Sequence, residues 1–233
     1  MKSILQLTII FSVFLLFSVG EITCAAENQA PQDITPAKRP KICLVLSGGG
    51  ARGAAHIGVI EVLEEMRVPI DCITGTSMGS IVGGLYASGM SPREIKEALA
   101  AIDWKDAFND NIPREDRSFR RKRDDDLYLI KQKPGIGDGG KIKLPTGFLQ
   151  GQKIDLIFKE LALPVSDIRD FDELSIPFRA VATDITTGEA VVLSSGDLAK
   201  SMRASMSVPS IFSPVEMNGR LLVDGGVSNN LPV

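Results

Sequence analysis

A chain of 233 residues holds one α/β domain of ordinary size and is too short for two full enzymatic domains. With 44% apolar and 24% charged residues it fits neither a disordered chain nor a multispan membrane protein, and a net charge of −3 gives no electrostatic reason to expect nucleic acid as a partner. The single histidine, His56, excludes a site built from two or three His ligands and leaves any Ser-His-Asp triad one possible base.

The first segment, residues 1 to 26, reads as an export signal. Met1-Lys2 is a basic start, residues 4 to 19 are a 16-residue apolar stretch, and Cys24-Ala25-Ala26 is a small-residue cleavage site, with cleavage expected after Ala25 or Ala26. The stretch is shorter than the ~20 residues a membrane-spanning helix needs. Glu21 stands where a bacterial lipoprotein signal carries an apolar residue, so Cys24 is not expected to be lipidated. Residues 27 to 40 are polar and proline-rich, a linker with nothing to pack. The domain is expected to begin at Lys41.

From there the pattern is strand, Gly-rich turn, helix, strand, tight turn, helix. Residues 42 to 46 are a short apolar run that stops at glycines, as a buried parallel strand does. Residues 54 to 67 carry apolar groups at helical spacing, 69 to 74 form the second strand, and 80 to 87 belong to a second helix rich in small residues. Two strands that each feed a helix imply a right-handed crossover, so the fold class is α/β, with a mostly parallel central sheet flanked by helices. Cys43 and Cys72 lie in apolar runs and, with Cys24, show no C-x-x-C spacing; they read as buried free thiols.

A third helix is expected from Ser91, where Ser91, Pro92 and Glu94 spell a capping box, to about Ile102. Residues 114 to 126 hold six basic and five acidic groups and no core face, which reads as a solvated loop, or as a lid or docking surface for anionic head groups. Residues 135 to 140 are Gly-rich, and 150 to 161 read as a helix. Residues 178 to 183 and 190 to 193 read as a strand pair flanking a Gly-containing turn, in which Asp184 is a turn-capping residue. A helix over 197 to 206 follows. Asn218-Gly219 is the strongest hairpin signal in the chain, joining 214 to 217 with 220 to 223.

Three motifs carry chemistry. Gly75-Thr76-Ser77-Met78-Gly79 is a G-x-S-x-G sequence between a strand and a helix, the setting of a nucleophile elbow, where Ser77 also faces the positive end of a helix. Gly48-Gly49-Gly50-Ala51-Arg52-Gly53 contains G-x-G-x-x-G. A dinucleotide site there needs an acidic residue at the end of the second strand, but Asp71 lies near its start, so no cofactor is expected. The loop reads instead as a row of backbone N–H groups beside Ser77, an oxyanion hole from Gly48, Gly49 and Gly50, with Arg52 holding the loop in shape. Asp224-Gly225-Gly226 ends the last strand, and the glycines permit close approach of another segment. Asp224 is the stronger candidate for the base, His56 reading as a structural histidine beside the loop. A carboxylate has an ordinary pKa of about 3.9, so it must be positioned and partly desolvated to work near neutral pH.

G-G-G-A-R-G at 48, G-T-S-M-G at 75 and D-G-G at 224, in that order, together with Ala-Ser-Met-Ser-Val-Pro-Ser at 204 to 210, make residues 41 to 233 resemble the patatin-like phospholipase family. The resemblance implies a patatin-like three-layer sandwich, Ser77 as nucleophile, Asp224 as base in a dyad without histidine, glycine amides as oxyanion hole, lipid acyl hydrolysis and no metal. A phospholipid or other lipid ester is the expected substrate, with peripheral membrane contact. An acyltransferase, a short-ester esterase or a secreted lipid-binding module are the rival functions. The family's domains run on beyond the point nine residues past Asp224 where this chain stops, so the catalytic domain is expected to be cut short at its C-terminal end.

Overall fold

The computed structural model describes residues 39–109, 114–116, 118–120, 122, 135–136, 142–143 and 149–233. The expected export signal, residues 27 to 38 of the linker, residues 117, 121 and 123 to 126 of the charged segment, and residues 137 to 140 of the Gly-rich stretch lie outside the described residues. Residues 41 to 233 make up one of two compact units, and the fold below is that unit.

Strand β1 (Cys43–Leu46) leads through a 3-10 turn at Gly50–Ala54 into helix α1 (Ala55–Glu65). Strand β2 (Cys72–Thr76) leads directly into helix α2 (Met78–Ala87). The sequence places this strand at 69 to 74 and the helix from 80. The strand instead runs on through Gly75 and Thr76 because β5 (Phe178–Asp184) pairs with those residues, Gly75 opposite Ala180 and Thr76 opposite Val181. Only Ser77 separates strand from helix.

Helix α3 (Pro92–Ala101) starts at the expected capping box: the Ser91 hydroxyl accepts from the Glu94 N–H, and the Glu94 carboxylate accepts from the Ser91 N–H. The short helix α4 (Trp104–Ala107) follows, then the two-residue strands β3 (Gly135–Ile136) and β4 (Ile142–Lys143), which pair with each other. Helix α5 (Gln152–Leu161) packs on helix α6 (Leu198–Ser205). Strand β6 (Ala190–Leu193) folds back on β5, and β7 (Val215–Met217) joins β8 (Arg220–Asp224) through Asn218-Gly219. Both turn residues have positive φ, 50° and 73°, as the expected tight hairpin requires. Asp184 caps its turn by accepting from the Thr186 N–H at 2.8 Å.

The main sheet has six strands. β1, β2 and β5 are mutually parallel, while β6 and β8 run antiparallel to β5, and β7 antiparallel to β8. Strands β1, β2, β5 and β7 therefore point one way and β6 and β8 the other. Val181 pairs with both Thr76 and Val192, so β2 and β6 occupy opposite edges of β5. Ala182 pairs with both Val191 and Asp224, which places β8 on the edge that β2 has just vacated. β2 and β8 thus meet head to head along one edge of β5, and their C-terminal residues, Thr76 and Asp224, face consecutive positions.

Helix α2 lies close against the sheet. A Cβ at Gly83 would come within 2.9 Å of the Ile73 side chain, and one at Gly84 within 3.1 Å of Met202. The core is filled by Ile73, Ile81, Leu85, Phe158, Phe178 and Met202, all fully buried.

Cys43 and Cys72 are not free thiols: they form a disulfide, with Cα atoms 4.5 Å apart. The parallel register sets them directly opposite each other on neighbouring strands, with side chains on the same face. Cys43 is exposed and Cys72 half-buried, so neither serves the core.

Candidate active site

The turn from β2 to α2 gives Ser77 a φ of 53° and ψ of −122°, a conformation that costs a non-glycine residue on the order of 1–3 kcal/mol. The strain falls on the serine itself, and the flanking glycines solve a different problem. A Cβ on Gly75 would collide with the Gly79 carbonyl, and one on Gly79 with the Leu46 carbonyl. These glycines let the turn close on itself and rest on the end of β1.

The strained turn is held from several sides. The Ser77 carbonyl accepts from the Ser80 N–H at 2.9 Å and the Ser80 hydroxyl at 2.7 Å. The Ser77 N–H donates to Ser205 Oγ at 2.8 Å, and Ser205 Oγ donates onward to the Val181 carbonyl at 2.6 Å. Ser77 Oγ donates to Asp224 Oδ2 at 2.6 Å, the short length typical of a hydroxyl on a carboxylate.

All four polar positions of Asp224 are engaged. Oδ2 takes the serine, and Oδ1 accepts from the Gly226 N–H at 2.7 Å. The Asp224 N–H donates to the Ser207 carbonyl at 2.9 Å, and the Asp224 carbonyl accepts from Thr183 Oγ1 at 3.0 Å. With 7% of its surface exposed, Asp224 is both positioned and largely desolvated. Gly225 permits the approach, since a Cβ there would collide with the Val181 carbonyl.

The parallel neighbours β1 and β2 bring the two Gly-rich turns together: a Cβ on Gly48 would lie 3.0 Å from Ser77 Cβ. The Gly48 N–H is already committed, donating to the Asn230 carbonyl at 3.2 Å. Gly48 therefore leaves the expected row of free amides, because the segment after Asp224 folds back onto it. Gly49 caps the 3-10 turn and Gly50 opens it, and among the described residues nothing in the protein accepts their N–H groups. Gly53 packs tightly, its Cβ position lying 2.6 Å from the Met78 side chain. The Arg52 side chain is exposed and, among the described residues, makes no hydrogen bond or ion pair that would hold the loop in shape.

His56 Nε2 lies 2.9 Å from the Ser47 carbonyl, and since a carbonyl only accepts, Nε2 carries the proton. The histidine ties α1 to the end of β1 and, among the described residues, makes no hydrogen bond to Ser77. Asp71, the acidic residue a nucleotide ribose would need, sits at the opposite end of β2 from the glycine loop, where Oδ2 accepts from the Ile42 N–H at 2.8 Å. Among the described residues no three His, Cys, Asp or Glu side chains gather as a metal site.

Beside Ser77 opens a cavity of about 810 Å³ with a predominantly apolar lining that includes Met78, Ile81, Leu99, Trp104, Phe108 and Phe212. Trp104, Phe108 and Phe212 form an aromatic row with ring centroids 5.5 and 5.4 Å apart. Behind it Arg203, 2% exposed, lies over the Phe212 ring at 4.5 Å, donates to Ser207 Oγ and pairs with Asp155 at 3.1 Å.

Ser205, Ser207 and Asn230 support the site but are not singled out by sequence reasoning as individuals. The signal for two of them is the Ala-Ser-Met-Ser-Val-Pro-Ser stretch, whose first two serines serve Ser77 and Asp224 respectively.

The profile of the family described as patatin-like phospholipase matches residues 44–233. An uncharacterised NTE family protein of Mycobacterium tuberculosis is 34% identical over 194 residues, which cover 83% of this chain and 45% of that protein. Patatin-like phospholipase domain-containing protein 6 of Homo sapiens is also 34% identical, over 82% of this chain and 12% of its own length. The chain thus spans less than half the length of these curated relatives. Among solved structures, VipD from Legionella pneumophila superposes with a TM-score of 0.52 at 18% identity, covering 84% of this chain and 47% of its own, a likeness of fold. A profile that runs from β1 to the last residue, through both glycine turns and the Asp224 strand end, establishes that this chain belongs to the patatin-like phospholipase family.

Proposed function

We propose that this chain hydrolyses the acyl ester bonds of lipids, phospholipids included, with Ser77 as nucleophile and Asp224 as base. The observation that carries this reading is the 2.6 Å hydrogen bond from Ser77 Oγ to Asp224 Oδ2 beside an apolar cavity of about 810 Å³. A cavity of that size and lining suits a long acyl chain, since pockets for drug-sized ligands run to roughly 300–1,000 Å³.

In this mechanism Ser77 Oγ attacks the ester carbonyl carbon while its proton passes to Asp224 Oδ2. Oδ1 keeps its bond from Gly226, so the carboxylate does not rotate away as it takes the proton. The oxyanion meets the N–H groups of Gly49 and Gly50 and the N-terminal end of α2. When the intermediate collapses, Asp224 returns the proton to the departing alcohol. The acyl group stays on Ser77 until water, deprotonated by Asp224, attacks the acyl-enzyme and frees the fatty acid.

Val208 and Ile211 line the cavity and are 39% and 48% exposed, which supports peripheral contact with a lipid surface. The Cys43–Cys72 disulfide supports the exported location inferred from the leading segment, since such bonds persist in oxidising compartments. The test is fatty-acid release from phosphatidylcholine and phosphatidylglycerol vesicles, followed by mass spectrometry. Wild type releases fatty acid, and Ser77→Ala and Asp224→Asn each lose at least about 10³-fold of the rate. Folded wild type that releases none from these lipids, or from p-nitrophenyl palmitate, contradicts the proposal.

A further inference from the structure

The two walls of the cavity are unlike. One is bulky, with Trp104, Phe108 and Phe212; the other is the segment from Gly50 into α1, which brings Ile57 and Glu61 to the cavity but lines it mostly with the small residues Ala51, Ala54, Ala55 and Gly58. Their spacing, 51, 54, 55 and 58, is that of a single helical face. Gly58 is the anomaly on that face. It sits inside an 11-residue helix, where glycine is the least favourable residue after proline. Its φ is not positive, so no backbone conformation demands it. A Cβ built there meets nothing within 4 Å, so no neighbour demands it either. Gly75, Gly79, Gly83 and Gly84 all have a close neighbour that excludes a side chain; Gly58 is exposed, lines the cavity and has open space about its Cβ position.

We infer that Gly58 sets the acyl-chain length the cavity accepts, by leaving free the space that a side chain on α1 would occupy. This rests on the proposed function only for the identity of the chain as an acyl group. The position gives the inference a scale. Gly53 packs on Met78, the residue after the nucleophile, and Gly58 lies five residues further along. At ~2.0 Å per residue through the 3-10 turn and ~1.5 Å along α1 that is about 8.5 Å, and C–C bonds of ~1.5 Å at near-tetrahedral angles advance about 1.25 Å per carbon, so an acyl chain laid along α1 passes Gly58 about seven carbons from the ester. Acyl chains of four carbons end before that point, and chains of eight or more pass it.

The experiment uses the full chain and two readouts. In the Ser77→Ala background, palmitate, decanoate and hexanoate are titrated against the fluorescence of Trp104, the single tryptophan of the chain, which itself lines the cavity. Gly58→Phe and the smaller Gly58→Leu weaken palmitate binding at least tenfold relative to Ser77→Ala alone. In the Ser77 enzyme, the same changes lower the palmitoyl-to-butanoyl ratio of kcat/KM on p-nitrophenyl esters at least tenfold. Gly58→Ala raises Tm by about 2–4 °C, because it improves the helix without meeting a neighbour. Palmitate affinity unchanged in folded Gly58→Leu and Gly58→Phe overturns the inference, as does a lower Tm for Gly58→Ala. Palmitate binding without ester hydrolysis by the Ser77 enzyme would instead count against the proposed function and leave the role of Gly58 standing.

Discussion

At the scale of single residues, Ser77, the proposed nucleophile, is held by a serine that the proposed mechanism gives no chemical step. Ser205 is fully buried, and its one hydroxyl both accepts the Ser77 N–H and donates to Val181 on β5. Ser205→Ala takes the side-chain partner from the half-buried Ser77 N–H and one partner from the buried Val181 carbonyl, at a cost on the order of 1–3 kcal/mol. The strained φ of Ser77 loses one of its restraints at the same time. The expected result is a fall in kcat of about 10- to 100-fold with KM nearly unchanged, a loss of ~1.4–2.7 kcal/mol in transition-state stabilisation. Ser201 supplies the control. It is equally buried, but its hydroxyl bonds the Asp197 carbonyl within its own helix, so Ser201→Ala lowers Tm without that loss of kcat. Steady-state kinetics and thermal melts of the two variants separate positioning of the nucleophile from general stability.

At the scale of elements, two local devices give separable predictions. At the start of α3, Glu94 is held below the usual carboxylate range, first by the hydrogen bond from the Ser91 hydroxyl and then by the Ser91 N–H. A depressed folded pKa means the charged form stabilises the fold above the ordinary carboxylate range, and that this contribution is lost as pH falls through the lowered value. The Tm difference between wild type and Glu94→Gln should therefore be present at pH 7 and shrink progressively on acidification through and below the ordinary carboxylate range. Ser91→Ala should cost about 1 kcal/mol as an N-cap loss. The Cys43–Cys72 disulfide closes a sequence separation of 29, for which chain entropy gives about 3–4 kcal/mol. Cys43→Ser should lower the urea midpoint accordingly, and a reductant should shift wild type but not the variant. The capping box, the Asn218-Gly219 hairpin and the nucleophile elbow were legible in the sequence because each is a contract among residues within five positions. The disulfide was not, because apolar runs carry no register, and only the pairing of β1 with β2 sets Cys43 opposite Cys72. Ser205 and the engagement of Gly48 by Asn230 were hidden for the same reason: their partners lie 128 and 182 residues away.

At the scale of the whole molecule, the site depends on how the sheet is assembled. β5 runs past the end of β2, and β8 fills the vacated edge in the opposite direction, so the serine turn and the aspartate strand end converge although 147 residues separate them. The sequence indicated a parallel α/β sheet and the three motifs; it could not indicate the antiparallel return of β8, which depends on tertiary pairing. If the leading segment directs export as proposed, intact mass of the chain expressed in a bacterial host should place the mature N-terminus after Ala25 or Ala26, with one disulfide between Cys43 and Cys72 resisting alkylation. In the proposed mechanism Ser77 is activated by Asp224 and not by histidine. This is tested most directly by the rate at which a fluorophosphonate labels Ser77, measured on the Ser77 peptide for wild type, Asp224→Asn and His56→Gln. The account predicts labelling of wild type, retention of most of that rate in folded His56→Gln, and a fall of at least about 10²-fold in Asp224→Asn; labelling that survives Asp224→Asn but is lost in His56→Gln would contradict it.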